Sequence, residues 1–460
     1  MRNLIVSIVF SLVSLSIIAQ GCLPEGITFT TQTQIDSFAI NYPTCTEIEG
    51  DVTIGGWDWG GSDINNLNGL SILASIGGSL SLYQNNSLLT LEGLDNLNSI
   101  GGDLSISFNS LSSLTGLDNV TSIGGGLEIT YNDYLTSISG LQNLTFVNGL
   151  YIDISNNGSL ISLSGLENLT SINGILLIFK NDALISLSGL ENITSIGSNL
   201  GIIQNHALTS LSVLEGLTSI GSRLDIYDND TLTSLSGLDN LNSIGGRLHI
   251  TDNNSLTSLS GLGNLNFIGG NLSISLNPAL NSLEGLEKLT SIEGYLIIDH
   301  NDILTSLTGL DNIDAGSISN LSVYSNELLS TCDVQSICDY VAAPNAIVEI
   351  HDNAPGCNSQ QEVEEACASS VQEIGAISTL TVSPNPFTST TALSYYLPQP
   401  STVQISIYNH LGKQVDFIQQ DQSSGPQQIT WDASDKPSGV YYFQLKAGDQ
   451  VASGKLLLVR

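Results

Sequence analysis

The sequence predicts an all-β protein, a β-solenoid of about thirteen turns followed by a small β-sandwich. Three observations carry this. A motif L-x-I-x-x-N returns with a period near 24 residues, apolar residues between the motifs recur every third position, and beyond residue 367 the period stops and strand-like alternation takes over.

A fixed period in this range marks stacked units, each too small to bury its own apolar face. The motif Asn stands at Asn85, Asn109, Asn132, Asn157, Asn181, Asn205, Asn229, Asn253, Asn277, Asn301, Asn326 and Asn353. An earlier turn, Val52 to Ile54, has the strand without the Asn. In Leu248-His249-Ile250 the period of two marks a short strand with Leu248 and Ile250 inward and His249 and Thr251 outward. Leu256, Leu259, Leu262, Leu265 and Ile268 then follow a three-residue rhythm, too tight for a long α-helix and suited to short segments bending round a narrow core. Gly245-Gly246 is expected to supply φ freedom at a corner. The Asn is expected to turn inward and bond the backbone of the next turn, forming a ladder. Turns stacked about 4.8 Å apart make a rod of roughly 60 Å.

Composition agrees: 41% hydrophobic residues, 45 Gly and one Met fit a Leu/Ile-filled coil with glycine corners. The net charge of −34 argues against nucleic acid and anionic membranes as partners. Most of the acidic residues read as a solvated surface.

The chain begins MRNLIVSIVFSLVSLSIIAQG, with Arg2, an apolar run from Leu4 to Ala19, and small residues Ala19 and Gly21 suited to signal peptidase. Residues 1–21 are therefore expected to be an export signal. The run is short and no stop-transfer charges follow, so no transmembrane segment is expected in the mature form. AQGC is a poor lipobox. All six cysteines flank the repeats: Cys22 and Cys45 in a cap over 22–50, ahead of a repeat region over 51–327, and Cys332, Cys338, Cys357 and Cys367 in a second cap over 328–367. An exported chain meets an oxidising environment, and the His and Cys spacing matches no zinc pattern, so disulfides are expected. Position pairs Cys22 with Cys45. Of three connectivities for the other four, Cys332 with Cys357 is favoured, since each follows its Asn by a few residues on neighbouring turns. That leaves Cys338, in a helix expected over Asp333–Val341, for Cys367, at the end of one expected over Gln360–Cys367.

The entry segment YPTCTEIEGDVTI, Tyr42 to Ile54, and the L-x-I-x-x-N turns after it resemble the receptor L-domain family, the leucine-rich-repeat-like right-handed β-helix of growth-factor and insulin receptor ectodomains. The resemblance covers roughly Cys22 to Cys367. It implies a ligand-binding or adhesive ectodomain, although this array has many more turns and lacks a furin-like cysteine module or a kinase.

After a polar linker over 368–379, Val403-Gln404-Ile405-Ser406-Ile407-Tyr408 and similar runs alternate as strands of an immunoglobulin-like sandwich over 380–460. SPNPF (Ser383, Pro384, Asn385, Pro386, Phe387), IYNHLGK, SGVYYFQL with Gly439, and KLLLVR beginning at Lys455 resemble, in that order, the C-terminal sorting domain of type IX secretion substrates from Bacteroidetes. The resemblance implies recognition by the type IX secretion translocon and removal by a sortase-like peptidase, followed by release or attachment to surface lipopolysaccharide.

Nothing in the chain reads as a catalytic constellation. His206, His249, His300, His351 and His410 sit at unrelated repeat positions, the Leu/Ile interior leaves no cleft, and G-x-S-x-G, H-E-x-x-H and P-loop motifs are missing. No enzyme activity and no cofactor are expected. GGxGxD nonapeptides are missing too, so Asp225, Asp228 and Asp252 are at best a weak cation site and no metal is assigned.

Function is then expected on the outward strand face, whose residues do not support the coil. Leu177, Phe179 and Ile203 fall on adjacent turns there, between Tyr131 and Tyr227, and read either as tolerated apolar residues or as a contact surface for an extracellular protein or glycan. Trp57 and Trp59, in the loop GGWDWGG, read equally as sugar-stacking rings or as a cover for the open first coil. The leading reading is a secreted or surface recognition and adhesion protein. An ice- or mineral-binding solenoid is an alternative on the stacked pairs Thr209-Ser210, Thr233-Ser234, Thr257-Ser258 and Thr305-Ser306, but that ladder breaks at Ile161, Ile185 and Asn281. A polysaccharide-active enzyme is the third reading.

Overall fold

The structure, a computed structural model, describes residues 21–56, 61–369, 380–397, 399–409, 411–448 and 450–459. The expected export signal, all but its last residue, lies outside the described residues, as do Trp57, Trp59, His410 and most of the expected linker. The chain forms two compact units, Met1–Ala366 and Cys367–Arg460.

In the first unit a parallel sheet of fourteen strands runs in strict sequence order from Ile27–Phe29 through Val52–Gly55 to Val348–His351. It has one strand more than the repeat count because Ile27-Thr28-Phe29, within the N-terminal cap, already pairs in register with Val52, Thr53 and Ile54. Each repeat strand places the two apolar residues of its L-x-I segment inward. Leu248 and Ile250, like their equivalents on neighbouring turns, are fully buried, which holds the register, since a one-residue slip would turn both to water. Two-residue strands such as Ser243–Ile244 stack on another side of the coil, and the leucines of the three-residue rhythm fill the interior between the two sets.

The corner glycines act by size rather than by φ. A Cβ on Gly245 would stand 2.1 Å from the carbonyl oxygen of Gly221 on the preceding turn, so the turns touch backbone to backbone there. The φ freedom is used elsewhere, at Gly261 (φ 110°) and its equivalents in most L-x-G-L bends, whereas Gly69 and Gly140 lie in short 3-10 turns instead. The ladder of two-residue strands stops after Phe146–Val147 and restarts at Ser171–Ile172, where Asn148 and Asn173 replace the corner glycine.

Buried asparagines join the turns. Asn229 donates from Nδ2 to the carbonyl oxygens of Ile202 (2.8 Å) and Tyr227 (3.1 Å), and its Oδ1 accepts the backbone N–H of Asn205 at 3.1 Å. The same arrangement steps from Asn85 to Asn353, closed at one end by Ser62, whose hydroxyl donates to Asn85 Oδ1, and at the other by Asn358, whose Oδ1 accepts the Asn353 N–H. A second, exposed set is also formed: Asn240 and Asn264, for example, donate to the carbonyls of Glu215 and Asp239 one turn back.

Many carboxylates have structural roles. Asp95, Asp118, Glu167, Glu191, Asp239, Glu287 and Asp311 each accept the N–H of the glycine two residues before. The acidic charge is therefore partly turn chemistry, not only a solvated surface.

Both ends are capped. The helix Gln32–Asn41 buries Ile35 and Phe38 over the first turn and starts with a reciprocal Thr31/Gln34 capping box. Cys22 is joined to Cys45, and Cys332 to Cys357. Cys338 and Cys367 are also disulfide-bonded. The C-terminal helices span Gln335–Val341 and Gln360–Ser369. Among the described residues no helix is long and apolar enough to cross a membrane.

The second unit is a small antiparallel sandwich. Its three-stranded sheet holds Thr381–Ser383, Thr390–Leu397 and Gly425–Asp432, and its four-stranded sheet holds Gln414–Gln422, Ser401–Asn409, Gly439–Ala447 and Gln450–Leu458. Trp431, buried among Phe387, Tyr441, Leu393 and Ile405, centres the core between the sheets, with its indole N–H donating to Asp416 at 2.9 Å.

Candidate functional site

The outward face of the fourteen-stranded sheet consists of aligned rows. The middle residue of each L-x-I segment forms one row, with Glu128, Asp153, Leu177, Gly201, Asp225 and His249 in direct register. The residue after that segment forms a second row, with Ser155, Phe179, Ile203, Tyr227 and Thr251 in register. Small residues in this second row lie on the outward face but are little exposed: Ser107, Thr130, Ser155, Thr251 and Ser275 are buried.

Phe179, Ile203 and Tyr227 therefore form one continuous stripe across three turns. Leu177 lies beside it and covers Gly201, where an added Cβ would come within 2.9 Å of Leu177 Cδ1. All four side chains are half-buried. Tyr131 does not flank this stripe. Its strand ends at Thr130, and Tyr131 follows it at φ 55°, in a third row immediately before the ladder asparagines. There it stacks on Phe108, ring centroids 4.4 Å apart, and Phe108 in turn meets the edge of Tyr83 at 5.3 Å. Phe108 and Tyr134 were missing from the sequence reading. Registration on the Asn shows Phe108 and Tyr131 one residue before Asn109 and Asn132, so the row was visible in principle.

Electrostatics along the first row follow from burial. Desolvation raises the Asp153 carboxyl above its ordinary value, opposed by the hydroxyl of Ser155 and aided by the Glu128 charge on the neighbouring strand. Desolvation, with Arg247 nearby, lowers the His249 imidazole. Asp225 is held by Arg247, Nε to Oδ1 2.9 Å, and is not grouped with Asp228 and Asp252 as a cation site. The grouping among the described residues that offers three ligand atoms together is instead His206, Asp228 and Asp230, with His206 Nδ1 3.3 Å from Asp230 and 4.0 Å from Asp228. All three are only half-buried, and each is a common type of surface residue, so the group defines no metal centre by itself.

Part of the threonine ladder serves the fold. The hydroxyls of Thr209 and Thr257 donate to the carbonyls of Ile185 and Thr233 one turn back, so these two tie turns together.

In the second unit the sorting-motif residues come together. Asn385 Nδ2 donates to the Lys455 carbonyl and its Oδ1 accepts the Leu457 N–H, both at 2.8 Å. Phe387 then exchanges backbone bonds with Leu457 and Val459, and the Pro384 carbonyl accepts the Thr391 hydroxyl at 2.6 Å. Ser383 ends the first strand, paired with Ala392, and Gly439 opens the strand that pairs with Leu458. The two ends of the domain are thus one surface, SPNPF clasped onto the final strand. Residues 381–459 match the family of secretion system C-terminal sorting domains. The protein is exported by type IX secretion to the cell surface or the extracellular space. Its sorting domain engages that secretion machinery. No curated protein matches the chain.

Proposed function

We propose that the protein is a non-enzymatic recognition or adhesion protein that presents the outward face of its solenoid to an extracellular protein or glycan. One observation carries this reading. A domain addressed to the cell exterior is attached to a regular sheet whose inward rows are Leu, Ile or Val apart from Phe29 in the first strand, whereas its outward rows change from turn to turn and gather Leu177, Phe179, Ile203 and Tyr227 into one stripe. The resemblance of the repeats to receptor L domains supports the same reading. After export, a sortase-like peptidase removes the sorting domain, leaving the solenoid as the working part. Rigidity suits this task, since a surface already ordered by ladders loses little freedom on docking. Phe179 and Ile203 are already half-buried, so covering the rest of each with a partner contributes roughly 1 kcal/mol apiece.

The test is adhesion of cells carrying the protein, compared with a strain lacking it, to immobilised extracellular proteins and polysaccharides. Loss of adhesion to at least one surface is expected, with Phe179→Ser plus Ile203→Ser weakening it at unchanged melting temperature. The same changes at inward Leu224 and Ile226 unfold the coil locally. A strain lacking the protein that adheres to every surface as the wild type does contradicts the reading.

A further inference from the structure

A second feature of the outward face lies outside that stripe. Tyr83, Phe108 and Tyr131 stand on three successive turns, with the Phe108 and Tyr131 rings 5° from parallel. Phe108 is 41%, Tyr131 47% and the neighbouring Tyr134 67% exposed. They border a hollow of about 260 Å³ whose other lining is polar, including Asn86, Ser110 and Asp133.

The backbone gives no reason for aromatic residues here. Phe108 (φ 57°) and Tyr131 (φ 55°) occupy the left-handed region, and the same place on other turns holds polar residues, among them Gln84, Asn156, Lys180, Asp228 and His300, with Leu276 the apolar one outside this pair. Nor does the core need them, since their rings lie outside the buried Leu/Ile rows. Two stacked rings on adjacent turns, left open to water where most turns carry a polar side chain, make a ready-made apolar platform beside the hollow.

We propose that this hollow binds a neutral pyranose ring of an extracellular glycan, stacked on the Tyr131 and Tyr134 side and hydrogen-bonded at its edge by Asn86 and Asp133. The chemistry of the lining selects the ligand. A pyranose has an apolar face of weakly positive C–H groups that meets the negative face of an aromatic ring. Its equatorial hydroxyls, donors and acceptors at once, suit an amide and a carboxylate at the rim. The hollow lies just below the usual ~300–1,000 Å³ of ligand sites, room for a single ring rather than an enclosed chain. Asp133 is the one charged side chain in its lining, and the protein carries a net charge of −34, so uronic or sulfated sugars are repelled.

This assignment rests on the recognition reading above, and the test separates the two. The full mature chain is titrated calorimetrically with cellohexaose, chitohexaose and mannohexaose, and with polygalacturonate as the anionic comparison. At least one neutral oligosaccharide is expected to bind. Phe108→Asn with Tyr131→Asn, which suits the left-handed backbone, is expected to weaken it tenfold or more at unchanged melting temperature, while Tyr131→Phe retains it. Tyr134→Ala, at a largely exposed residue, is a second variant independent of the Asn row. Failure of all three neutral probes, binding of polygalacturonate alone, or wild-type affinity in both the double variant and Tyr134→Ala overturns the assignment. If adhesion still requires the protein in that case, the sugar site falls and the recognition reading stands; sugar binding without any role in adhesion gives the reverse.

Discussion

Replacing Asn229 by Leu tests the physical basis of the rod. The side chain is fully buried and similar in size to leucine, so the change removes hydrogen bonds while adding little volume. The N–H of Asn205 loses its acceptor, and the carbonyls of Ile202 and Tyr227 lose a donor. Leaving buried groups unsatisfied costs about 1–3 kcal/mol each. With two of the three groups left bare, the turn loses about 2–6 kcal/mol. Because each turn contacts only its neighbours, the damage stays local, and the informative assay is hydrogen exchange by mass spectrometry rather than melting alone. Peptides covering Leu200–Asn205 and Leu224–Asn229 are expected to exchange faster by two orders of magnitude or more, roughly the factor that corresponds to about 3 kcal/mol, while turns near Asn85 stay protected. Asn254→Ala, an exposed neighbour, is the control and should change little. If the Asn229→Leu turn exchanges like the wild type, the asparagines are not what holds the turns together.

Three further outcomes follow from the same geometry. Cys22→Ser with Cys45→Ser opens a loop of 23 residues in sequence separation and is expected to cost about 3 kcal/mol, read as a lower urea midpoint and faster exchange in Ile27–Phe29; an unchanged midpoint contradicts the role of this staple. The raised Asp153 carboxyl favours its protonated form in the folded state, so its stabilising contribution is present below the ordinary value of 3.8 and is lost as pH rises through the folded value. Asp153→Asn is therefore expected to be more stable than the wild type at pH 7, with the gap closing towards pH 4; a gap that is constant with pH refutes the desolvation account. Asn385→Ala breaks both bonds between SPNPF and the final strand and is expected to destabilise the sandwich by about 1–3 kcal/mol and to lower surface delivery, as seen by thermal unfolding and surface labelling.

The repeat was legible because its physics repeats. Every turn has to bury the same Leu and Ile positions and satisfy the same backbone groups, so one Asn registered the whole sheet. What repeated less was harder to read. The cap helix Gln32–Asn41 was missed although Thr31 and Gln34 have capping-box spacing, since a single helix carries no period. Tyr131 was placed in a strand because side chains beyond the third strand position still read as outward, whereas the chain turns left-handed there. That misplacement hid the aromatic group, since Phe108 shares a row with Tyr131 and not with Phe179. The acidic residues were read as surface charge because the glycine N–H groups they accept appear only once the bend is built. In the sorting domain the motifs were legible separately, while their clasp through Asn385 and Leu457 required the fold.

The most direct test of the account is where the protein goes without its last domain. Deleting residues 380–460 in the native host and probing intact cells and periplasm with antibody to the solenoid is expected to leave the truncated protein in the periplasm and none on the surface or in the medium. In wild-type cells, mass spectrometry of the surface or released form is expected to detect the solenoid but no peptide from Thr381 to Val459. Surface delivery of the truncated chain at the wild-type level contradicts the claim that this domain is an export address.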